Sequence, residues 1–246
     1  MSYTKKPKMI LFDVGGTLFD DGSCIPAEGL GHLRLAADNP EVTDDKTLAG
    51  LWNRAMNELD VPRRSRSGYE LDIPLSCVLK FATMQAGLRF SISAARQEEI
   101  FDRFNSSREL TPGISELLSR LDSAGIRTAV ISNNMMSGDG LALSVSHWIP
   151  EAKMEFCLTS ADLLFTKPCP DLFRAAAGFA GLSPEDCWYC GDGRDPDVEG
   201  AFNSGMTPVL YCPTAPRPSE MRSDAGRGEY LTVSSWSVLG DMISRL

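Results

Sequence analysis

Five short apolar runs punctuate the chain, at residues 9–14, 127–132, 156–159, 187–191 and 208–212, with a weaker sixth at 230–233. They are too short for typical helices, and most are continuously apolar. That is the pattern of strands buried on both faces of a parallel sheet. Helical spacing fills the gaps. Residues 114–124 place Leu117, Leu118 and Leu121 on one side after a Thr111-Pro112-Gly113 start signal. Residues 171–180 follow Lys167-Pro168-Cys169-Pro170, and 234–246 close the chain as an amphipathic helix. This alternation specifies a doubly wound α/β domain with a parallel sheet, because each parallel connection must cross a sheet face.

The alternation breaks between Leu18 and Thr111. Helical periodicity runs near 27–37, 44–59, 71–86 and 93–105, with Pro40, Pro62 and Gly87 as breakers and no convincing strand. The expected organisation is an α/β core of residues 1–19 and 109–246 with an all-helical cap domain of residues 20–108. A length of 246 residues suits one core with a sizeable insertion. An insertion directly after the first strand stands over the strand C-terminal ends, where open α/β sheets bind ligands.

Composition narrows the partners. A net charge of -9 argues against a general nucleic-acid binder, which needs a basic face to neutralise phosphates, yet leaves room for a small anionic substrate held by a few local cations. No apolar run approaches the roughly 20 residues of a membrane span, and the run after Lys5, Lys6 and Lys8 ends too soon at Asp13 for a signal peptide. The seven cysteines are odd in number and scattered through apparent core segments, which points to a reducing, cytoplasmic setting. Cys187 and Cys190 have redox spacing but lie in a strand pattern, where a period of two sends them to opposite faces. They read as packing residues.

Four places carry chemistry. Asp13 ends the first strand and enters a Gly15-Gly16-Thr17 turn; it is either a turn-forming Asp or a nucleophile that accepts a phosphoryl group. Gly15 and Gly16 let the backbone approach an anion closely. Ser132-Asn133 closes the second main strand, as an anion donor or as a helix cap. Lys167 follows an apolar segment and is either a solvated charge or one that neutralises the site. Gly191-Asp192-Gly193-Arg194-Asp195-Pro196-Asp197 clusters acids after a buried strand. Its spacing fails an EF-hand and suits Mg²⁺ held by one or two carboxylates plus waters. Within the insertion, Arg63, Arg64 and Arg66 form a basic stretch that either reads a second anionic group or is a solvated loop.

The order of these elements resembles the haloacid dehalogenase superfamily, most of whose members are Mg²⁺-dependent phosphatases. Phe12-Asp13-Val14-Gly15-Gly16-Thr17-Leu18 is similar to its first motif, and Val130-Ile131-Ser132-Asn133 to its second. Lys167-Pro168-Cys169-Pro170-Asp171-Leu172-Phe173 resembles the third. Gly191-Asp192 through Asp197, Gly200-Ala201 and Gly205-Met206 resembles the fourth. The resemblance implies that Asp13 is the nucleophile forming an aspartyl-phosphate and that Ser132 and Lys167 stabilise the transferring group. Gly16, Thr17 and Asn133 would contact the substrate. Mg²⁺ would be held by Asp13, the backbone carbonyl of Gly15 and Asp192, with Asp197 in support.

One departure stands out. Phosphatases of that family carry an Asp two residues after the nucleophile as general acid and base, where this chain has Gly15. Positioned acid–base catalysis is worth roughly 10² to 10⁴ in rate. The expectation is therefore a hydrolase, most simply a phosphatase of a small phosphorylated metabolite. The alternatives are a non-catalytic or regulatory phosphate-binding protein, a phosphonate- or halide-cleaving variant, and a substrate-assisted or rescued phosphatase. For the last, Asp20 and Asp21 lie nearby, although the resemblance matches Asp20 to an acid of the cap hinge. Asp192 weighs against halide cleavage. Only Lys46 and Lys80 in the insertion are offered for the Schiff base of a phosphonate-cleaving member.

Overall fold

The computed structural model describes all residues except 1, 2, 4, 60–62 and 225, with the backbone alone described at 63 and 64. The chain begins with β1 (Met9–Phe12) and the short β2 (Phe19–Asp20). A helical block follows: α1 (Pro26–Leu35), α2 (Asp45–Leu59), the hairpin β3 (Arg63–Arg64) and β4 (Glu70–Leu71), α3 (Leu75–Gln85) and α4 (Ala94–Asn105). The chain returns through β5 (Glu109–Leu110), then α5 (Ile114–Ser123), β6 (Arg127–Ser132), α6 (Gly138–Trp148), β7 (Met154–Thr159), α7 (Ser160–Leu163) and α8 (Pro170–Phe179). It ends with β8 (Cys187–Gly191), α9 (Gly200–Ser204), β9 (Thr207–Tyr211), β10 (Ser219–Asp224), β11 (Gly228–Val233) and α10 (Trp236–Ile243).

Seven strands form one sheet in the order β10-β11-β9-β8-β1-β6-β7, parallel except for the edge pair β10–β11. The expected α/β Rossmann-like architecture is present. β1 lies at the centre, with Phe12 in register with Val130 of β6 and Cys190 of β8. Its alternation divides two cores. Met9 and Leu11 pack with Leu172, Phe173, Ala176 and Tyr189, whereas Ile10 and Phe12 pack with Leu117, Trp188 and Trp236 on the other face. Cys187 and Cys190 fall into these opposite cores, both buried, and burial pushes the Cys187 thiol up to about 11. Their redox spacing therefore serves packing.

Three local features differ from the sequence expectation. The span between Leu18 and Thr111 does contain strands, although short ones. β2 pairs with β5 where the chain leaves and re-enters the α/β layer, and β3 pairs with β4. The helix expected over 71–86 starts at Leu75, because residues 70–72 hydrogen-bond outward instead. Leu71 bridges Phe165, the Thr166 amide donates to the Glu70 carbonyl at 3.1 Å, and the Asp72 amide donates to the Leu164 carbonyl at 3.0 Å. The polar strand β10 carried no apolar run, since its residues alternate between exposed and partly buried at the sheet edge.

Candidate active site

Parallel strands place their C-terminal ends on one edge, and the chemistry-bearing residues collect there. Asp13 follows β1, with its amide donating to the Cys190 carbonyl at 2.9 Å. The chain then folds tightly on itself, as the amides of Thr17, Leu18 and Phe19 all point at the Val14 carbonyl at 3.3, 2.9 and 3.0 Å. Gly16 has φ +65°, a region where a side chain is strained, and a Cβ there would overlap the Asp192 carboxylate. Glycine at 16 lets the turn after β1 and the loop after β8 meet. The Thr17 hydroxyl is buried and has no hydrogen-bond partner among the described residues.

Lys167 is drawn into this edge and buried. Its Nζ donates to Asp13 Oδ1 at 2.9 Å, to Asp197 Oδ1 at 2.6 Å and to Tyr189 Oη at 2.9 Å. Burial alone would push the ammonium down, but Asp13 and Asp197 more than reverse this and hold it above the usual lysine range. Tyr189 donates to the Ile131 carbonyl at 2.8 Å and so fixes the floor beneath the lysine. Asp197 lies in the first turn of a π-helix (Arg194–Glu199), and its second oxygen takes the Gly193 amide at 2.8 Å. With both oxygens engaged, the Asp197 carboxylate is held in one orientation.

Asp13, Asp192 and Asp197 bring one carboxylate oxygen each within 4.8 Å of one another. Lys167 is the one cation bonded to the cluster among the described residues, so three carboxylates and one ammonium leave a net charge of two negatives. Burial, followed by the charges of Asp13 and Asp197, raises the Asp192 carboxyl above its ordinary range. Hard oxygen donors and an unbalanced double negative charge fit a divalent cation of the Mg²⁺ type. Asp192 is exposed and Asp13 half-buried, which leaves space for the waters and substrate oxygens such an ion keeps.

The other candidates divide. Ser132 is buried at the end of β6, in register with Thr159. Asn133 reaches the Lys167 backbone and leaves one Nδ2 hydrogen for another acceptor. Its Oδ1 accepts the Lys167 amide at 2.6 Å and its Nδ2 donates to the Lys167 carbonyl at 3.3 Å, fixing the lysine's backbone. Arg66 is exposed at the tip of the β3–β4 hairpin, and the side chains of Arg63 and Arg64 lie outside the described residues. The 70–72 segment ties that hairpin to the loop carrying Lys167. Tyr189 escaped the sequence reading because a tyrosine inside a buried strand looks like any core aromatic.

The family model for haloacid dehalogenase-like hydrolases matches residues 7–205. Among solved structures, the chain resembles a 2-haloacid dehalogenase from Pseudomonas syringae pv. Tomato DC3000 at TM-score 0.57 and 23% identity, covering 97% of this chain and 99% of that one. It resembles a HAD-superfamily hydrolase from Ehrlichia chaffeensis at TM-score 0.55 and 18% identity, covering 99% and 98%. A HAD phosphatase from Thermococcus onnurineus is similar at TM-score 0.54 and 18% identity, covering 96% and 97%. None of the curated proteins matches. Dehalogenases and phosphatases thus share this fold, and with a family match over most of its length the chain belongs to the haloacid dehalogenase-like hydrolases.

Proposed function

We propose that the protein is a Mg²⁺-dependent phosphatase of a small phosphorylated metabolite, acting through an aspartyl-phosphate on Asp13. The observation that carries this reading is the cluster of Asp13, Asp192 and Asp197 with Lys167 as its balancing cation. A dehalogenase handles a monoanionic acid and has no use for this surplus of negative charge, whereas a divalent ion and a phosphate bind such a site together. Asp13 and Asp192 would hold the ion, with the Gly15 carbonyl as the further donor that the family resemblance implies. Mg²⁺ bound there supplies Lewis-acid polarisation of phosphoryl oxygens.

The chain's own residues do the rest. Asp13 attacks phosphorus with the oxygen that Lys167 leaves free, and the ammonium holds the other oxygen to set the angle of attack. Asn133 and Tyr189 keep Lys167 in place. Ser132, the Gly16 amide and Thr17 line the phosphoryl side as donors. The helical block of residues 20–108 acts as a cap, and its basic hairpin selects substrates with a second anionic group.

The test is turnover of generic aryl phosphates with Mg²⁺ or with chelator, in the wild type and in Asp13→Asn. Loss of activity in the variant and in chelator is expected; equal activity in both proteins ends the idea. Gly15 favours a second reading, a phosphate-binding protein without turnover. Binding of a phosphate mimic with no hydrolysis of any ester would establish that one instead.

A further inference from the structure

Position 15 lacks a side chain, but the space beside it is filled. A Cβ built on Gly15 would lie 2.7 Å from Asp21 Oδ2 and 3.9 Å from its Cγ, so the Asp21 carboxylate points, oxygen first, at the place where a residue-15 side chain would begin. We propose that Asp21 is the general acid and base of the reaction, supplying from β2 and its turn what Gly15 cannot. The inference rests on the phosphatase reading above.

Local structure aims this carboxylate. Gly15 forms a bridge with Phe19, which folds the chain back over the turn after Asp13. Gly22, at φ +57°, closes a tight turn in which Asp20 Oδ1 accepts the Gly22 amide at 3.2 Å. Asp20 therefore has a local task, and Asp21 turns its carboxylate toward Gly15. Arg108, just before β5, donates from Nε to Asp21 Oδ1 at 2.8 Å and leaves Oδ2 without a hydrogen bond among the described residues.

Arg108 is itself held on several sides. Its Nη1 and Nη2 donate to Asp102 at 2.8 and 3.2 Å, Ser144 donates to the same Asp102 at 2.5 Å, and the guanidinium lies 5.1 Å from the centre of the Phe19 ring. Asp102 already matches the arginine's charge. The contact to Asp21 then serves mainly to orient it, while the Asp21 side chain stays 49% exposed and reachable by substrate. A residue needed only for an ion pair has no reason to present its unbonded oxygen to the nucleophile's turn.

As Asp13 attacks, the phosphorus–oxygen bond to the leaving group breaks, and the leaving oxygen takes the proton from Asp21 Oδ2. Water then attacks phosphorus and passes a proton to the Asp21 carboxylate. The bond from phosphorus to Asp13 breaks, and inorganic phosphate leaves with both side chains restored.

Asp21→Asn separates the proton-transfer role from the structural one, because the amide oxygen still accepts from Arg108 Nε. Against an alkyl phosphate, whose leaving oxygen needs the proton, kcat should fall by roughly 10² to 10⁴. Against an aryl phosphate with an acidic phenol the first step should survive, and mass spectrometry should find a phosphoryl adduct accumulating on Asp13. Gly15→Asp/Asp21→Ala should recover turnover of the alkyl phosphate relative to Asp21→Ala. Asp21→Asn working at the wild-type rate overturns the assignment while leaving the Asp13 reading intact. So does a double variant as slow as Asp21→Ala, which marks a purely structural hinge contact. No phosphoryl transfer to Asp13 in the wild type overturns both.

Discussion

Replacing Lys167 with Met isolates the electrostatics of the site. Met keeps most of the aliphatic stem and removes a charge whose Nζ lies 2.9 Å from Asp13 Oδ1 and 2.6 Å from Asp197 Oδ1. The lysine and Asp197 side chains are each 2% exposed, so water cannot take over the lost interaction at Asp197. Breaking a buried pair from one side costs about 3–5 kcal/mol. A chain of this size loses about 2–4 °C of Tm per kcal/mol, so the melting temperature in chelator should fall by about 6–20 °C. Tyr189 Oη, 3.3 Å from Asp197 Oδ1, can turn its one O–H from the Ile131 carbonyl to that oxygen, which pulls the expectation toward the lower half of the range. Removing both charges with Lys167→Met/Asp197→Leu should recover part of the loss, because Asp197 is then no longer left unpaired while Asp13 still lacks its ammonium. Urea unfolding of the four proteins measures the coupling. A single variant within about 1 kcal/mol of wild type, the level of a surface pair, refutes the reasoning, as does a double variant no more stable than the single one. If the phosphatase reading holds, Lys167→Met also lowers kcat on the order of 10² to 10³.

Other positions give independent checks. Gly16→Ala forces a strained φ and drives a methyl into the Asp192 carboxylate, so divalent-cation affinity measured by calorimetry should fall at least on the order of tenfold, the loss seen when a ligand's support is disturbed. Unchanged affinity would place the cation elsewhere. Glu98 of α4 is buried and accepts the amides of Ser76 at 3.1 Å and Ser137 at 3.0 Å as well as the Ser137 hydroxyl, joining α3 and α4 to α6. Burial pushes its carboxyl up despite those bonds. Its stabilising contribution is therefore complete below the ordinary glutamate range and lost as pH rises through the raised folded value. Urea midpoints should decline over that interval in the wild type and less so in Glu98→Gln; parallel profiles would count against it. Gly200→Ala sets a Cβ against the Phe173 ring, so overpacking of about 1–3 kcal/mol is expected in the same urea assay.

The parts of this molecule that were legible in its sequence are those written as local patterns. Continuous apolar runs located β1, β6, β8 and β9, because a strand covered on both faces needs every side chain apolar. Period-two reasoning assigned Cys187 and Cys190 to opposite cores. Asp13, Lys167, Asp192 and Asp197 all come together, although they are far apart in the chain, because parallel topology delivers every strand end to one edge. β10 and the two-residue strands were not legible, since backbone pairing at an edge requires no particular side-chain pattern.

Side-chain partnership was the other blind spot. Asn133 looks like a strand-end donor for an anion, and through both ends of its amide it also brackets the backbone of Lys167. Nothing nearby in sequence signals this, because the two residues meet only through the fold. The same holds for Gly15. Read alone, a glycine two residues past the nucleophile is a missing acid and base that some other group must replace. In three dimensions its missing side chain is what admits the Asp21 carboxylate, since any Cβ there would stand 2.7 Å from Oδ2. The glycine and Asp21, with Arg108 behind it, are then interdependent, and losing any one should disturb the others' role. A residue's absence at one position and another's orientation from a neighbouring turn together form a single feature, one that a position-by-position comparison of motifs scores as a defect.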